Sequence, residues 1–279
     1  ALPKVEKPVE KEIKPSLKNL EEKQQKILNE IEAEKKRQKR LGNALDFIQI
    51  FKPNYFMPFA GKYMLTGKNY VLNKMRGEPY LDDAVEYLNK NIDQDKNKCV
   101  VLNSKESFNL DTHTLSKNYE KSDPKERERY TKQVLSKIKY DFEYQDEPNI
   151  DELLKLIPKS YARFNDKRKK IDFSTETKIN LKLIQGKSVV ISCNDQGYEI
   201  TTSEQTKINK FISMETDSRL LYWLLQGPKK AHWNNAEIGS HIQFRRLPNI
   251  YERGIMYCWN FFYSGEYVNE INSLILFSN

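Results

Sequence analysis

The hydrophobic pattern of this chain changes period along its length, and that change limits the folds that the chain can adopt. From residue 16 to Pro53, apolar residues recur at the spacing of a helix, and Pro53 cannot continue that helix. Over residues 178–193, apolar and polar residues alternate on both sides of Gly186, which is the pattern of a β-hairpin. The chain should therefore begin with a long helix and finish in an α+β region built on an antiparallel sheet.

Shorter patterns predict the elements between and after these two regions. Residues 81–91 predict a helix with aspartates in its first turn, where they complement the helix dipole. Thr216 or Asp217 can cap a later helix, and Gly227 ends it. The full prediction is, in order, strand 55–59, helix 81–91, strands 99–102 and 107–110, helices 124–139 and 150–164 around a surface loop, strands 178–184, 188–193, 197–202 and 207–214, and helix 219–226.

The order of these elements predicts four segments. Residues 1–15 mix proline with alternating charge and indicate a linker or tail. Short connections between helices and strands over residues 16–115 indicate an α/β layered unit. Residues 116–172 are expected to form a helical connector, and residues 173–279 a small α+β accessory domain in which an antiparallel sheet packs against a helix.

The charge of the chain argues against a nucleic-acid groove. The formal net charge is +8, and residues 1–41 contribute 12 Lys and Arg against 8 Glu. These acidic residues are interleaved with the basic ones, unlike a track of cations that follows a phosphate backbone. We therefore expect no nucleic-acid partner. The charged run at 34–40 is expected to be a solvated part of the first helix, with docking of an acidic partner as the alternative.

The sequence predicts a cytoplasmic protein with no membrane partner. No run approaches the roughly 20 apolar residues of a membrane span. The first residues carry Lys, Glu and Pro where a signal peptide would be apolar. The three cysteines, Cys99, Cys193 and Cys258, are odd in number and widely spaced, which fits buried free thiols in a reducing compartment better than disulfides.

The histidines are too few to build a metal centre from this chain. There are three, His113, His232 and His241, and the last two lie on either side of Glu237. These side chains have the ligand chemistry of zinc or iron sites, but a strand beginning at Ile238 would point them in different directions. We expect hydrogen-bonded packing for His232, and a surface or pocket role for His241.

The segment around these histidines carries candidate substrate-binding residues, each with a structural alternative. Asn234, Asn235 and Glu237 are predicted to lie in a turn between a helix and a strand, where they either fix the turn or face a cleft; His241 follows on the predicted strand. Arg245 and Arg246 present fork-shaped donors for a phosphate or carboxylate, or else they cover the surface beside aromatic residues.

Two further groups of residues are interpreted in the same way. Lys62 and Tyr63 follow Gly61 at a predicted strand end, on the rim where layered α/β folds bind ligands. The aromatic run at 257–263 is expected to be mostly core, with a pocket wall or an oligomer contact as the alternative.

Two stretches resemble a known group of enzymes. Residues 52–73 contain PNYFMPFAGKYMLTGK, which resembles the late part of a metallo-β-lactamase-fold domain in the group that includes the CMP-N-acetylneuraminate hydroxylases. Residues 233–263 resemble the C-terminal region of that group, with W-x-x-x-x-I-G, then R-x-P-[ND]-I-Y and an aromatic finish. The element order over residues 178–226 is also similar to the sterol-carrier-like domains that bind apolar ligands.

The resemblance implies that residues 16–115 are the last part of a metallo-β-lactamase-type αββα layer, and that the chain is the C-terminal portion of a longer protein. That family gathers its metals on an H-x-H-x-D-H loop, and the hydroxylases hold a Rieske cluster through C-x-H and C-x-x-H; neither pattern occurs here. Many members place a further metal-binding histidine where this sequence has Ala60. We therefore expect zinc or iron in an N-terminal half, in the same or a separate chain, and no cofactor held by this chain alone.

The function implied by the resemblance is that of the C-terminal half of a metal-dependent hydrolase or oxygenase. Its substrate would be an anionic, nucleotide-sugar-like metabolite, and this chain would supply the rim of the site and an accessory domain. Alone, the chain is not expected to turn over substrate. The alternative is a non-catalytic module that binds an apolar ligand or a partner protein.

Overall fold

The computed structural model describes residues 9–59, 63–202 and 209–265. The chain forms two compact units that divide between Ile138 and Lys139. The described part mixes helices with strands, which agrees with the predicted α/β or α+β class. The layering of a metallo-β-lactamase domain stays a prediction, as do the predicted segment boundaries at residues 15, 115 and 172.

A 43-residue helix, α1 (Val9–Phe51), runs through the first part of the first unit. It begins before residue 16, so helical backbone covers part of the segment predicted as a tail. Lys and Glu are good helix formers, and their alternation does not oppose a helix. Lys52 has left-handed backbone with a φ of 47°, and Pro53 follows it, so the helix ends where the sequence predicts.

The strands of the first unit are short. β1 (Tyr55–Phe56) pairs in parallel with β2 (Lys98–Cys99), and β3 (Phe108–Asn109) pairs antiparallel with β4 (Thr114–Leu115). Each of them has 2 residues, so the strands predicted in three of these places were too long. The physical reason is that burial does not require strand pairing: Val101 is buried two residues beyond the end of β2, in irregular backbone.

Two further helices of the first unit lie between β1 and β2 and after β4 in the sequence. α2 (Leu81–Asn91) confirms the predicted bounds. α3 (Pro124–Gln133) starts after the N-cap Asp123, whose carboxylate accepts a backbone N–H of the first turn, but it ends before the predicted residue 139. A 3₁₀ segment (Gly67–Met75), which the sequence pattern did not indicate, lies between β1 and α2.

The second unit contains five strands: β5 (Lys178–Lys182), β6 (Ser188–Ser192), β7 (Tyr198–Thr201), β8 (Phe211–Glu215) and β9 (Gln243–Leu247). They form one sheet in the order β7–β6–β5–β8–β9. Neighbouring strands are antiparallel except β5 and β8, which are parallel. The prediction of an antiparallel sheet was therefore wrong for this central pair. Strand β8 pairs with β5, the first strand of the hairpin, rather than with β7, which precedes it in sequence. The alternation of residues within a strand does not determine which strand it pairs with.

Two helices of the second unit begin at caps that the sequence supplies. α4 (Ile150–Lys170) starts with a capping box formed by Asn149 and Glu152, and it extends past the predicted end at residue 164. α5 (Ser218–Gln226) has Asp217 as its N-cap, one of the two predicted candidates. No helix in the described ranges combines the length and the apolar composition that a bilayer crossing requires.

A short helix, α6 (Trp233–Ile238), takes the place of the predicted turn and strand start. The Nδ1 atom of His232 accepts the backbone N–H of Asn234 at 3.1 Å and so caps this helix. Trp233 is buried, and this burial favours the helical turn. The prediction that Asn234 and Glu237 lie in a turn was therefore wrong, since both lie on α6. The following strand, β9, begins at Gln243 rather than at residue 238.

The core of the second unit lies between the helices and one face of the sheet. Apolar side chains from α4, α5 and the last helix, α7 (Arg253–Trp259), pack against alternate residues of β5, β6 and β8. Most of the aromatic run predicted as core is buried, although Tyr257 is exposed. The buried strand and helix residues are Ile179, Leu181, Val189, Ile191, Ile212, Met214, Leu153, Ile157, Phe164, Leu221, Leu224 and Trp259.

The three cysteines are free thiols. Cys193 and Cys258 are buried, whereas Cys99 is half-buried. Burial raises the pKa of the Cys193 thiol to about 12, so this thiol stays protonated at neutral pH. Such a thiol is a poor nucleophile, and it serves as a small apolar residue of the core.

Candidate binding groove

The outer face of the sheet, opposite the helices, carries the candidate site. Strand side chains alternate, so Asn180 lies on this face while its neighbours Ile179 and Leu181 lie in the core. The strand register places Asn180 opposite Ser213 of β8, and Ser213 opposite Arg245 of β9. These three residues form a polar row across three adjacent strands.

The polar row lines a groove of about 500 Å³. Neighbouring residues on the same face complete the groove, together with residues of the β5–β6 turn. This volume lies within the range of about 300–1,000 Å³ that small-molecule sites occupy. The main wall residues are Lys182, Lys187, Phe211, Glu215, Gln243 and Leu247.

The floor of the groove contains a buried hydrogen-bond acceptor. The Oδ1 atom of Asn180 is buried and has no hydrogen-bond partner among the described residues. Ser213, which lies opposite it on β8, is only 7% exposed. A buried polar atom without a partner costs about 1–3 kcal/mol of stability. The floor therefore contains an amide oxygen that no described donor satisfies, and rotation of the Asn180 side chain towards the groove would present it to a hydroxyl or an N–H group of a ligand.

Cationic side chains outnumber acidic ones along the groove. Lys182, Lys187 and Arg245 line it, against Glu215. The Nζ atom of Lys182 lies 3.4 Å from the Oε2 atom of Glu215, so these two charges offset each other. Arg245 has no ion-pair partner in the part of the chain that the structure describes, and its guanidinium carbon is 5.7 Å from the ring centroid of Phe211. The surplus positive charge favours an anionic group in the groove.

Arg246 lies on the other side of β9 from Arg245, because successive strand residues alternate. Its guanidinium carbon is 4.8 Å from the ring centroid of Phe244 and 5.5 Å from that of Tyr251. Its buried Nε atom has no hydrogen-bond partner within the described ranges. Burial raises the pKa of Glu237, and the positive charge of Arg246 opposes that rise. Arg246 and Glu237 therefore interact outside the groove lining.

His241 packs against aromatic rings of its own unit. Its ring meets Tyr140 edge-on at a centroid distance of 4.5 Å and Phe142 at 5.7 Å. A Cβ at Gly239 would lie 2.6 Å from the His241 ring, so glycine leaves the space that this ring occupies. Across the described residues, no three His, Cys, Asp or Glu side chains form a group that could hold a metal ion.

The remaining two candidates come from the other end of the chain. Lys62 lies outside the described residues. Tyr63 belongs to the first unit, whereas Arg245 belongs to the second. The guanidinium of Arg76 lies 3.5 Å from the centroid of the Tyr63 ring and donates to the Tyr63 carbonyl at 2.6 Å. Tyr63 is thus held by a cation–π contact within its own unit.

Sequence reasoning named Arg245 but missed the residues at the floor and opposite wall of the groove. The alternation of KINLK already places Asn180 and Lys182 on the face opposite the apolar residues. The alternation of FISME does the same for Ser213. The missing information was the pairing of β5 with β8, which brings these residues side by side.

The geometry of the groove does not test the resemblance to metallo-β-lactamase-fold and sterol-carrier-like proteins, which stays a prediction. Comparison with protein-family models, with characterised proteins and with solved structures finds no match for this chain.

Proposed function

We propose that the second unit is a binding module that holds an anionic small molecule in the groove on the outer face of its sheet. The observation that carries this proposal is the row Asn180–Ser213–Arg245, which combines an amide oxygen without a partner among the described residues with a cation in one concave surface. A hydroxyl of the ligand would donate to Asn180. Its negative group would lie beside Arg245.

The residues that line the groove support a binding function rather than catalysis. Residues lining the groove include Glu215 as a carboxylate, but no histidine and no cysteine among those described. Glu215 also forms an ion pair with Lys182. The apolar surfaces of Phe211 and Leu247 can contact the uncharged part of a ligand.

The proposal fits the predicted role of an accessory domain for a nucleotide-sugar-like substrate, and it does not depend on that role. The metal-dependent half remains a separate hypothesis, with zinc or iron bound by an N-terminal part. Metal analysis of this polypeptide tests that hypothesis. If these residues bound zinc or iron in stoichiometric amounts, the expectation that the metal ligands lie in an N-terminal part would be wrong. The predicted alternative, an apolar ligand in the same unit, is disfavoured by the charges of the groove.

Isothermal titration calorimetry with three probes tests the proposed function. Glucose 6-phosphate carries both an anion and hydroxyl groups, whereas glucose and inorganic phosphate each carry one of the two features. Because each feature has its own partner in the groove, glucose 6-phosphate should bind about fivefold or more tightly than either simpler probe. Absence of binding by all three probes would contradict the proposal.

Two variants locate the binding in the groove. The double substitution Lys187→Ala and Arg245→Ala should weaken glucose 6-phosphate binding by about tenfold or more, because it removes the two groove cations that make no ion pair with the described residues. Arg253→Ala is the matched control, since this exposed arginine begins α7 and does not line the groove. Equal weakening by both proteins would place the anion elsewhere.

A further inference from the structure

The first unit contains a second cavity, of about 560 Å³. One wall is the 3₁₀ segment, another is α3, and Glu30 of α1 also lines it. The interior walls are mainly apolar and come from Met64, Tyr70, Val71, Met75, Tyr80 and Pro124. Methionine side chains adapt their shape and contact aromatic rings favourably, so these walls suit a compact hydrocarbon or aromatic group.

Two polar side chains inside this cavity, Asn73 and Thr131, already have hydrogen-bond partners. The Asn73 side chain accepts the Leu65 N–H at 2.8 Å and donates to the carbonyls of Leu65 and Tyr70, each at 2.9 Å. The Thr131 hydroxyl donates to the Arg127 carbonyl at 2.8 Å. A ligand therefore gains no hydrogen bond from these groups, and its body should be apolar.

The charged residues around the cavity carry a net positive charge. Lys132 pairs with Glu128 at 2.9 Å. The Arg127 guanidinium lies 3.6 Å from the centroid of the Tyr80 ring. Lys74 makes no ion pair within 4.0 Å among the residues that the structure describes, although its positive charge also acts on the Glu128 carboxylate. Three cations and two carboxylates line the cavity in all, which leaves a surplus of one positive charge.

We propose that this cavity binds a small amphiphilic monoanion, a carboxylate with an aromatic or hydrocarbon body. The body lies against Met64, Val71 and Met75, and the carboxylate lies beside Lys74. The site is independent of the groove on the sheet, because its residues belong to the first unit. Size, apolar walls and a single surplus charge all point to the same class of ligand.

Titration of the full chain with 2-naphthoate and with its neutral methyl ester tests this site. The wild-type protein should bind both, the acid more tightly. Lys74→Met should weaken 2-naphthoate about fivefold and leave the ester unchanged, because the substitution removes the charge and keeps an apolar side chain. Lys90→Met is the matched control, since this exposed lysine lies on α2 and pairs with Glu86 outside the cavity.

A second variant tests the location without disturbing a buried side chain. Val71 is 53% exposed at the cavity, so Val71→Trp should fill the space without unfolding the unit. It should weaken the acid and the ester to a similar degree. No binding of either probe to the wild-type protein would overturn the proposal. Binding that neither Lys74→Met nor Val71→Trp changes would also overturn it.

Discussion

The two faces of the five-stranded sheet are built from the same strands but serve different purposes. On the inner face, Ile179, Leu181 and Met214 are fully buried against the helices. On the outer face, Ser213 and the amide oxygen of Asn180 are also buried, yet that oxygen has no partner in the described residues. One face therefore stabilises the fold, while the other retains a polar cost that is consistent with a binding site.

The largest effect should come from the inner face. Leu181→Ala removes a fully buried side chain from the core and should lower the free energy of unfolding by about 2–5 kcal/mol. Lys182→Ala, one residue further on the outer face, should change it by no more than about 0.5 kcal/mol. Chemical denaturation of the two variants checks this comparison. Similar losses for both would mean that the two faces do not differ in this way.

The second comparison uses two consecutive arginines on β9. Arg245→Ala should weaken glucose 6-phosphate binding about tenfold, because it removes the guanidinium that lines the groove. Arg246→Ala should leave the affinity nearly unchanged and should instead lower stability, since this side chain packs against Phe244 and Tyr251. Calorimetry and denaturation are measured on both proteins. An equal loss of affinity would contradict the assignment of Arg245 alone to the groove.

The third prediction concerns the amide oxygen of Asn180, which has no hydrogen-bond partner among the described residues. Asn180→Leu replaces it with an apolar side chain of similar size and should raise the free energy of unfolding by about 1 kcal/mol. The same variant should bind glucose 6-phosphate more weakly, because the ligand hydroxyl loses its acceptor. A variant that is both less stable and unchanged in binding would show that Asn180 has a structural role.

These predictions also show which features the sequence alone could supply. The bounds of α2 and the hairpin of β5 with β6 follow from local periodicity and turn residues. Strand alternation could also have placed Arg245 and Arg246 on opposite faces once β9 was recognised. The pairing of β5 with β8 is a contact between residues distant in sequence, so no local pattern reveals it. The groove depends on that pairing.

The segment around α6 was misread for a different reason. Its polar residues and following glycine are typical of a turn, but the cap from His232 and the burial of Trp233 and Ala236 form one and a half turns of helix. Tertiary burial therefore decided the conformation, and it moved the start of β9 to Gln243. The candidate residues of this segment are consequently divided between α6, the groove and the packing around His241.

The smallest predicted effect depends on pH and concerns Glu237. Burial raises its pKa in the folded state above the unfolded value, despite the nearby Arg246, so the folded protein binds a proton more tightly there. Stability should therefore fall as pH rises from the unfolded pKa through the folded pKa of this group. Glu237→Gln should remove this dependence and gain no more than about 0.5 kcal/mol at neutral pH. Denaturation at a series of pH values checks the sign, and a wild-type curve that rises more steeply with pH than the variant would contradict it.

The most direct test of the proposed groove is a residue-resolved NMR titration of the full chain with glucose 6-phosphate. The account predicts saturable shifts of the backbone amides of Asn180, Ser213 and Arg245, with little change on the inner face at α4. Absence of shifts along this row, or saturable shifts confined to residues outside the groove, would contradict the central claim that the outer face of the sheet is an anion-binding site.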